Sequence, residues 1–517
     1  MPRPLQALVW LSLILVPALA GPRPAVSVGA LGDEEIVREF KKYYKKFKET
    51  PQRYEAILSL EGADTASVVK VLLPVLREKE AELVDAAVQV LGSFKAHAAV
   101  DALFTALAND KRDAVKVGIL RAIARGGYRT DGEALMECLA DKHWDVRRRA
   151  IQCLVAGGRA EALANIAELT GDSEAAVRCA AFEGLGEMGA KNVVDLAIVG
   201  LGDKVWQVQS SAAAALRAVR ARRSIEPLIA AMETAEGRLQ QDFSRALEEI
   251  TAKMYGLRSA DWRRWWDGVK DRFEIPTTDQ LALARKKRAE NAALYHPTTG
   301  TNYHGIDTPS RSVLFIIDVS GSMENQIVEK ERFEDGDYPS MQRIDICKTE
   351  LQRTIEGLEP FVKINILAFA TEVKTWKKKL VKANVLNKRS AVDWVGRLAA
   401  IGGTSKEGLA AAGLTGAANL KAGRTNTYGV LMEALGAAGR GTHDKYYEVE
   451  VDTIFFLSDG RPTVGKLVDP DDILREVRES NELRKVVIHT IAIGEFQKAF
   501  MKTLASQNGG VFVDLGR

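Results

Sequence analysis

Cysteine is scarce: 517 residues hold four, Cys138, Cys153, Cys179 and Cys347. None stands in a CxxC pair, and each falls inside a helical apolar pattern. They read as small buried apolar side chains, and neither a disulfide framework nor a thiolate metal site organises the chain. Histidine is nearly as rare, with six: His97, His143, His296, His304, His443 and His489. None belongs to an HExxH pattern, and no GxSxG, P-loop or GxGxxG is present, so the common hydrolase and nucleotide-enzyme signatures are missing. A metal-assisted hydrolase would need an activated water and a base within reach, and no motif supplies them. No enzyme is expected. Charge of one sign is lacking too: 72 basic residues face 69 acidic ones, a net of +3. That balance gives no support for nucleic acid as the main ligand.

Long apolar runs are absent except at the start. Arg3 precedes a stretch, residues 5–19, that is apolar apart from Gln6 and Ser12. Ala18-Leu19-Ala20 then sets small residues before Gly21, the layout of a secretory signal peptide over residues 1–20. The run is short of the roughly 20 residues that a spanning helix needs. The expectation is an exported protein, periplasmic, cell-surface or secreted, with no transmembrane segment after cleavage. What remains is 46% hydrophobic and 27% charged, long enough for two or more domains.

The clearest internal signal is a period of 31. Val115, Val146, Val177 and Val208 keep it, as do Asp110, Asp141, Asp172 and Asp203, and Gly127, Gly158 and Gly189. Ile123, Leu154, Leu185 and Leu216 follow eight residues after each valine. Each unit reads as a helical hairpin. Val100, Leu103, Phe104 and Leu107 have helical spacing, Asn109-Asp110-Lys111 breaks it, and Val115, Ile119, Leu120 and Ile123 resume it. Gly126-Gly127 then supplies the positive φ that ends a helix. One hairpin cannot bury both faces, but a stack can. The units resemble short HEAT-type repeats and fill residues 33–256, with residues 33–60 as an N-terminal cap. Such solenoids present a surface to another protein. The basic clusters Arg147-Arg148-Arg149 and 220–223 read as solvated faces.

Trp262, Trp265 and Trp266 fall at i, i+3 and i+4, so residues 257–275 read as a Trp-rich segment capping the last repeat. Residues 276–310 read as a linker: a charged helix over 280–294, then a Thr-, Gly- and Pro-rich loop over 298–310.

From residue 311 the pattern changes. Apolar runs at 312–318, 363–370, 452–459, 486–493 and 510–515 are rich in Val, Ile and Phe, as buried parallel strands are. Helical stretches at 344–358 and 472–483 separate them. The alternation implies a doubly wound, Rossmann-like α/β domain whose ligand lies beyond the carboxyl ends of the strands. Two of those ends carry acid: Ile-Ile-Asp318-Val-Ser320-Gly-Ser322, and Phe-Leu-Ser-Asp459-Gly. DxSxS after a hydrophobic strand, a Thr-containing loop and a strand ending in SDG together resemble the von Willebrand factor A family, over residues 311–517. The fold class is therefore multidomain, an all-α HEAT-like solenoid followed by this α/β domain.

The resemblance implies a metal-ion-dependent adhesion site at Asp318, Ser320, Ser322, Thr425 and Asp459. Thr404, in Ile401-Gly-Gly-Thr404-Ser, is the other candidate for the loop ligand, and the choice of Thr425 makes the Gly- and Ala-rich stretch 404–423 an insertion. Asp335 and Asp337 lie close in sequence and read as solvated. Hydroxyl and carboxylate oxygens suit Mg²⁺, or Mn²⁺ or Ca²⁺, and leave a position open for a carboxylate from a protein partner. The expected function is thus a metal-dependent protein-binding, adhesion-type module. A structural envelope scaffold whose metal only stabilises the fold is the alternative.

Overall fold

The computed structural model describes residues 32–129, 132–292, 301–328, 330, 333, 336–401, 423–438, 450–494 and 498–515. The leader at 1–20, the start of the 298–310 loop, Thr404 with residues 402–422, and Asp335 lie outside them. The chain divides into two units, Met1–Ala134 and Leu135–Arg517.

In the first unit helices Asp33–Tyr43, Thr50–Leu58, Ala66–Leu72, Ala81–Leu91, His97–Asn109 and Asp113–Gly126 bury Leu72, Leu83, Leu103, Phe104, Val115 and Ile119. In the second, Trp144–Ala156, Ala175–Glu187, Trp206–Val219 and Arg238–Thr251 are the second helices of successive hairpins. The period-31 residues explain themselves. Val115, Val146, Val177 and Val208 are all fully buried. Gly127, Gly158 and Gly189 have φ of 63°, 66° and 66°. A Cβ at any of them would meet nothing within 4 Å, so the requirement is conformational. The next position in phase is Arg220, which keeps the same left-handed turn at φ 55° without a glycine.

The periodic aspartates close the turns before the second helices and link hairpins. Asp141, Asp172 and Asp203 each accept a backbone N–H two residues on, at 2.8 Å. Arg147 grips Asp172 with two bonds of 2.8 Å, and Arg178 grips Asp203 at 2.8 and 2.9 Å. Such bidentate pairs fix one hairpin against the next. The basic cluster at 147–149 is therefore not a solvated face. Arg148 is buried and pairs with Asp145 at 2.6 Å, and Arg149 reaches Asp145 at 3.2 Å. Their guanidiniums turn inward because carboxylates within the unit supply what water would have. Arg220 is likewise spent on the carbonyls of Glu249 and Pro276.

Trp262 and Trp266 are buried on helix Ser259–Val269, with Trp265 and Phe273 packed edge-on at 5.4 Å. Trp262 Nε1 donates to Gly256 O at 2.9 Å, so the polar end of the ring is satisfied. Helix Thr278–Ala292 follows.

The expected loop before the sheet contains a hairpin instead. β1, Thr301–Tyr303, pairs antiparallel with β2, Ile306–Thr308. His304 and Gly305 make the turn at φ 49° and 79°, the double positive φ of a tight hairpin. Strands of three residues leave no alternation to detect. Tyr303 packs edge-on against Phe315 and Phe455 at 5.4 and 5.5 Å and thereby ties the hairpin to the main sheet.

That sheet has the order β5-β4-β3-β7-β8-β9, with β6 also on β4. The strands are β3 Ser312–Asp318, β4 Lys363–Phe369, β5 Val373–Thr375, β6 Val381–Lys382, β7 Thr453–Ser458, β8 Val487–Ala492 and β9 Phe512–Asp514. The five expected strands form a parallel array, and β5 and β6 are short antiparallel additions at one edge. Val313, Phe315 and Ile317 pack toward helices Arg343–Gly357 and Val385–Gly396. Leu314 and Ile316 pack on the other side, toward Thr427–Ala437, Pro470–Asn481 and Lys498–Gln507. Burial on both faces explains the continuous apolar runs. All four cysteines are free and buried.

Within the second unit, the second-helix residues of the repeats meet the amino ends of the sheet. Arg148 Nη1 lies 2.7 Å from Glu482 Oε2, and Lys485 pairs with Glu183. Arg238 donates to Lys485 O at 2.5 Å and Arg245 to Gly509 O at 2.7 Å. These second-helix residues are thus taken by the chain's own C-terminal half.

His489 in β8 is buried beside this seam. Its Nδ1 accepts Val511 N–H at 3.0 Å and its ring stacks on Phe455 at 4.9 Å. Burial, with Arg245 and Arg238 adding repulsion, lowers its pKa from 6.5 to about 3. The unfolded chain then binds the proton that the folded chain refuses, so this contribution is full above pH 6.5 and declines as pH falls toward 3. His489→Gln is expected to lose less stability than the wild type between those limits. The difference between their urea midpoints against pH tests it, and parallel curves would remove His489 as a source.

Candidate metal centre

Asp318 ends β3, Ser458 ends β7, and Asp459 follows at once. The two strands are adjacent and parallel, so both acids reach the same edge. The serines turn back over it. Ser320 N donates to Asp318 Oδ1 at 2.8 Å, and a tight turn over Gly321–Glu324 returns Ser322 to the site. The two serine hydroxyls lie 3.2 Å apart, and Ser322 Oγ donates to Asp459 Oδ1 at 2.7 Å. Ser458 Oγ donates to Asp318 Oδ2 at 2.5 Å.

Thr425 arrives on a loop fastened to both neighbours. Asn426 N donates to Ala370 O beyond β4 at 2.9 Å, and Gly321 N donates to Gly423 O at 3.1 Å. Thr425 N donates to Thr463 Oγ1 at 2.9 Å, and Thr463 N returns a bond to Thr425 O at 3.0 Å. Asn426 then caps helix Thr427–Ala437 by accepting Gly429 N–H at 2.9 Å. A side chain on Gly460 would place its Cβ 3.2 Å from Thr425 Oγ1 and 3.7 Å from Ser322 Oγ. Glycine leaves that space to the hydroxyls. The structure thus gathers Asp318, Ser320, Ser322, Thr425 and Asp459; Asp337 is described, but no bond joins it to this group.

One member has no signal in the motif. Arg343 is buried at the first position of helix Arg343–Gly357, and its Nη1 lies 2.7 Å from Asp459 Oδ2. A cation there opposes the helix dipole, so the carboxylate is what compensates it. Gly494 makes the niche: its Cβ would fall 2.9 Å from Asp459 O and 3.2 Å from Arg343 Nη1. An arginine opening an apolar-periodic helix was the only sequence clue, and nothing local tied it to Asp459, 116 residues away.

The charges do not balance. Two buried carboxylates face one guanidinium. Burial first, then Asp459, pushes the Asp318 pKa up to about 7. A cation at this edge would relieve that strain. The donors are carboxylate and hydroxyl oxygens, which suit a hard divalent ion, and among the described residues no imidazole or thiolate joins them. Among the described residues no three His, Cys, Asp or Glu side chains gather to hold a metal, so an ion here depends on the hydroxyls.

Comparison with known proteins bears on the fold that carries this site. The family model for von Willebrand factor type A domains matches residues 336–514, and that for HEAT repeats matches 132–198 and 163–248. The C-terminal region is a von Willebrand factor type A domain. HEAT repeats precede it. The match begins after Ser322, so the placing of the DxSxS turn rests on the geometry above. Inter-alpha-trypsin inhibitor heavy chain H4 of Homo sapiens is 27% identical over 208 residues, 40% of this chain and 18% of that one. Heavy chain H1 of Mesocricetus auratus is 26% identical over 203 residues, 39% and 18%. The chain therefore spans less than a fifth of these relatives. The conserved hypothetical protein BatB from Bacteroides thetaiotaomicron, 14% identical, covers 39% of this chain and 88% of its own at a TM-score of 0.26, too low to argue from.

Breaking a buried ion pair from one side leaves the other charge stranded, at a cost of about 3–5 kcal/mol. Arg343→Met is expected to lower the unfolding free energy of the metal-free protein by about 3 kcal/mol. Arg343→Met with Asp459→Asn should restore part of it. Urea titration measures both, and an unchanged single variant would show that the pair contributes nothing.

Proposed function

We propose that this is an exported protein whose A domain binds a partner protein through a divalent cation, Mg²⁺ first, with Mn²⁺ or Ca²⁺ able to substitute. Asp318 and Asp459 supply charge, and Ser320, Ser322 and Thr425 supply neutral hydroxyls. Thr404, outside the described residues, remains the alternative loop ligand. The ion would offer an open position to an acidic side chain of the partner. Arg343 steadies Asp459 from outside that shell, as groups around a metal site commonly orient its ligands. The HEAT repeats act as the mount.

One observation carries this reading. Five oxygen-bearing side chains from three separate segments meet at one sheet edge, and the two buried carboxylates among them are met by a single guanidinium, Arg343 on Asp459. Binding rather than turnover follows from the same inventory. The described histidines, His97, His143, His304 and His489, belong to the repeats, the hairpin turn and β8, so among the described residues no histidine base stands beside the carboxylates. The acidic edge also disfavours phosphate backbones. Export rests on the leader pattern, and no helix among the described residues is long and apolar enough to cross a membrane.

The test is thermal and chemical unfolding of the full chain with Mg²⁺ or chelator. At 100 times its dissociation constant a ligand stabilises by about 2.7 kcal/mol. The wild type should gain on that order, and Asp318→Ala should gain nothing while its helical signal persists. Equal responses in the two proteins, or none in either, would overturn the metal reading.

A further inference from the structure

The near-neutral total conceals a basic edge. Residues 363–389 contain eight Lys or Arg and one acid, Glu372, a net of +7 against +3 for the whole chain. They form all of β4, strands β5 and β6 and the start of helix Val385–Gly396. Lys363, Lys374, Lys378, Lys379 and Lys382 are exposed, and among the described residues none of them forms an ion pair. Lys363 and Lys382 stand directly opposite in the β4–β6 register, a like-charge pairing that costs stability.

Exposed apolar side chains accompany these cations. Val385 and Leu386 are each 81% exposed and Phe361 is 54% exposed. Ala383 N donates to Val362 O at 2.8 Å, which fastens the two segments together and sets Phe361 and Val385 beside the Lys363–Lys382 pair. Lysines do guard sheet edges against pairing with another chain. Strands of three and two residues need little guarding, and guarding does not call for an exposed Val-Leu pair.

We propose that this edge is a docking surface for an anionic lipid bilayer. A headgroup layer offers negative charge to the ammoniums and, just beneath, an apolar layer to Val385, Leu386 and Phe361. A nucleic acid would answer the charge and leave the apolar tips in water. The placing fits the site already described without depending on it. Lys363 and Lys382 stand at the Ser312 end of the strands, six residues from the Asp318 level, while Lys374 stands opposite Ala368, one residue short of it. The basic edge therefore runs along the outer side of β4 and is separate from the strand ends that carry Asp318 and Asp459.

The experiment is sedimentation of the full chain with vesicles of phosphatidylglycerol and phosphatidylcholine in equal parts, or phosphatidylcholine alone, with chelator present throughout. The chelator separates this test from the metal reading. Binding is expected to the anionic vesicles only and to weaken with salt. Each lysine near such a surface is worth about five-fold in partitioning, so Lys378→Gln, Lys379→Gln and Lys382→Gln together should cost on the order of 100-fold. Val385→Ser with Leu386→Ser, exposed substitutions that spare the core, should weaken binding at unchanged charge. No binding to anionic vesicles by the folded wild type would overturn the proposal. So would binding indifferent to both sets of variants, or retention by an immobilised oligonucleotide without retention by vesicles.

Discussion

Two carboxylates buried side by side are the constraint on which the C-terminal half depends. Asp318 and Asp459 sit at the ends of neighbouring parallel strands, where burial and the nearby Asp459 both disfavour the charge of Asp318. Only a fixed register brings them there. A one-residue slip of β3 would turn Asp318 to the opposite face and its apolar set with it. Burial of both sheet faces forbids that slip. The same rigidity holds Ser320, Ser322 and Thr425 in place, since each hangs from a strand end or a loop bonded to one. The arrangement tolerates its own repulsion through Ser458, Ser322 and Arg343, which together occupy three of the four carboxylate oxygens while the Ser320 amide takes the fourth.

The repeats matter to this site through their attachment. Arg148, Glu183, Arg238 and Arg245 all spend their polar groups on the amino ends of the sheet. A seam built from buried charge is demanding about orientation, because a displaced partner leaves a desolvated ion behind. It holds the carboxyl ends of the strands, with Asp318 and Asp459, on the far side of the sheet. The second helices of these repeats are here used inward, against the sheet.

What was legible in the sequence follows from range. The period of 31 and the apolar strands are local or strictly repeating, so Val146, Asp172 and the run ending at Asp318 could be read directly. The DxSxS and SDG turns carry their meaning within a few residues. Arg343 could not be found this way, since its partner lies 116 residues off and its helix position argues for nothing by itself. The seam pairs Arg238 and Arg245 with backbone 247 and 264 residues away, beyond the reach of any local pattern. The β1–β2 hairpin and the edge strands β5 and β6 are too short to show a period. Their reality depends on Tyr303 meeting Phe315 and on Val381 meeting Ile364.

Net charge misleads here for a related reason. A total of +3 describes no part of the surface. The ends of β3 and β7 hold two carboxylates against one guanidinium, and the outer edge of the sheet beside β4 carries lysines from Lys363 to Lys382. Separating the signs between strand ends and sheet edge gives the domain a direction as well as a charge. An anionic surface would attract that edge before any contact forms. Summed charge still argues against wrapping a long polyanion, which would have to pass the acidic end. It does not argue against a flat anionic surface, which meets only the edge that faces it.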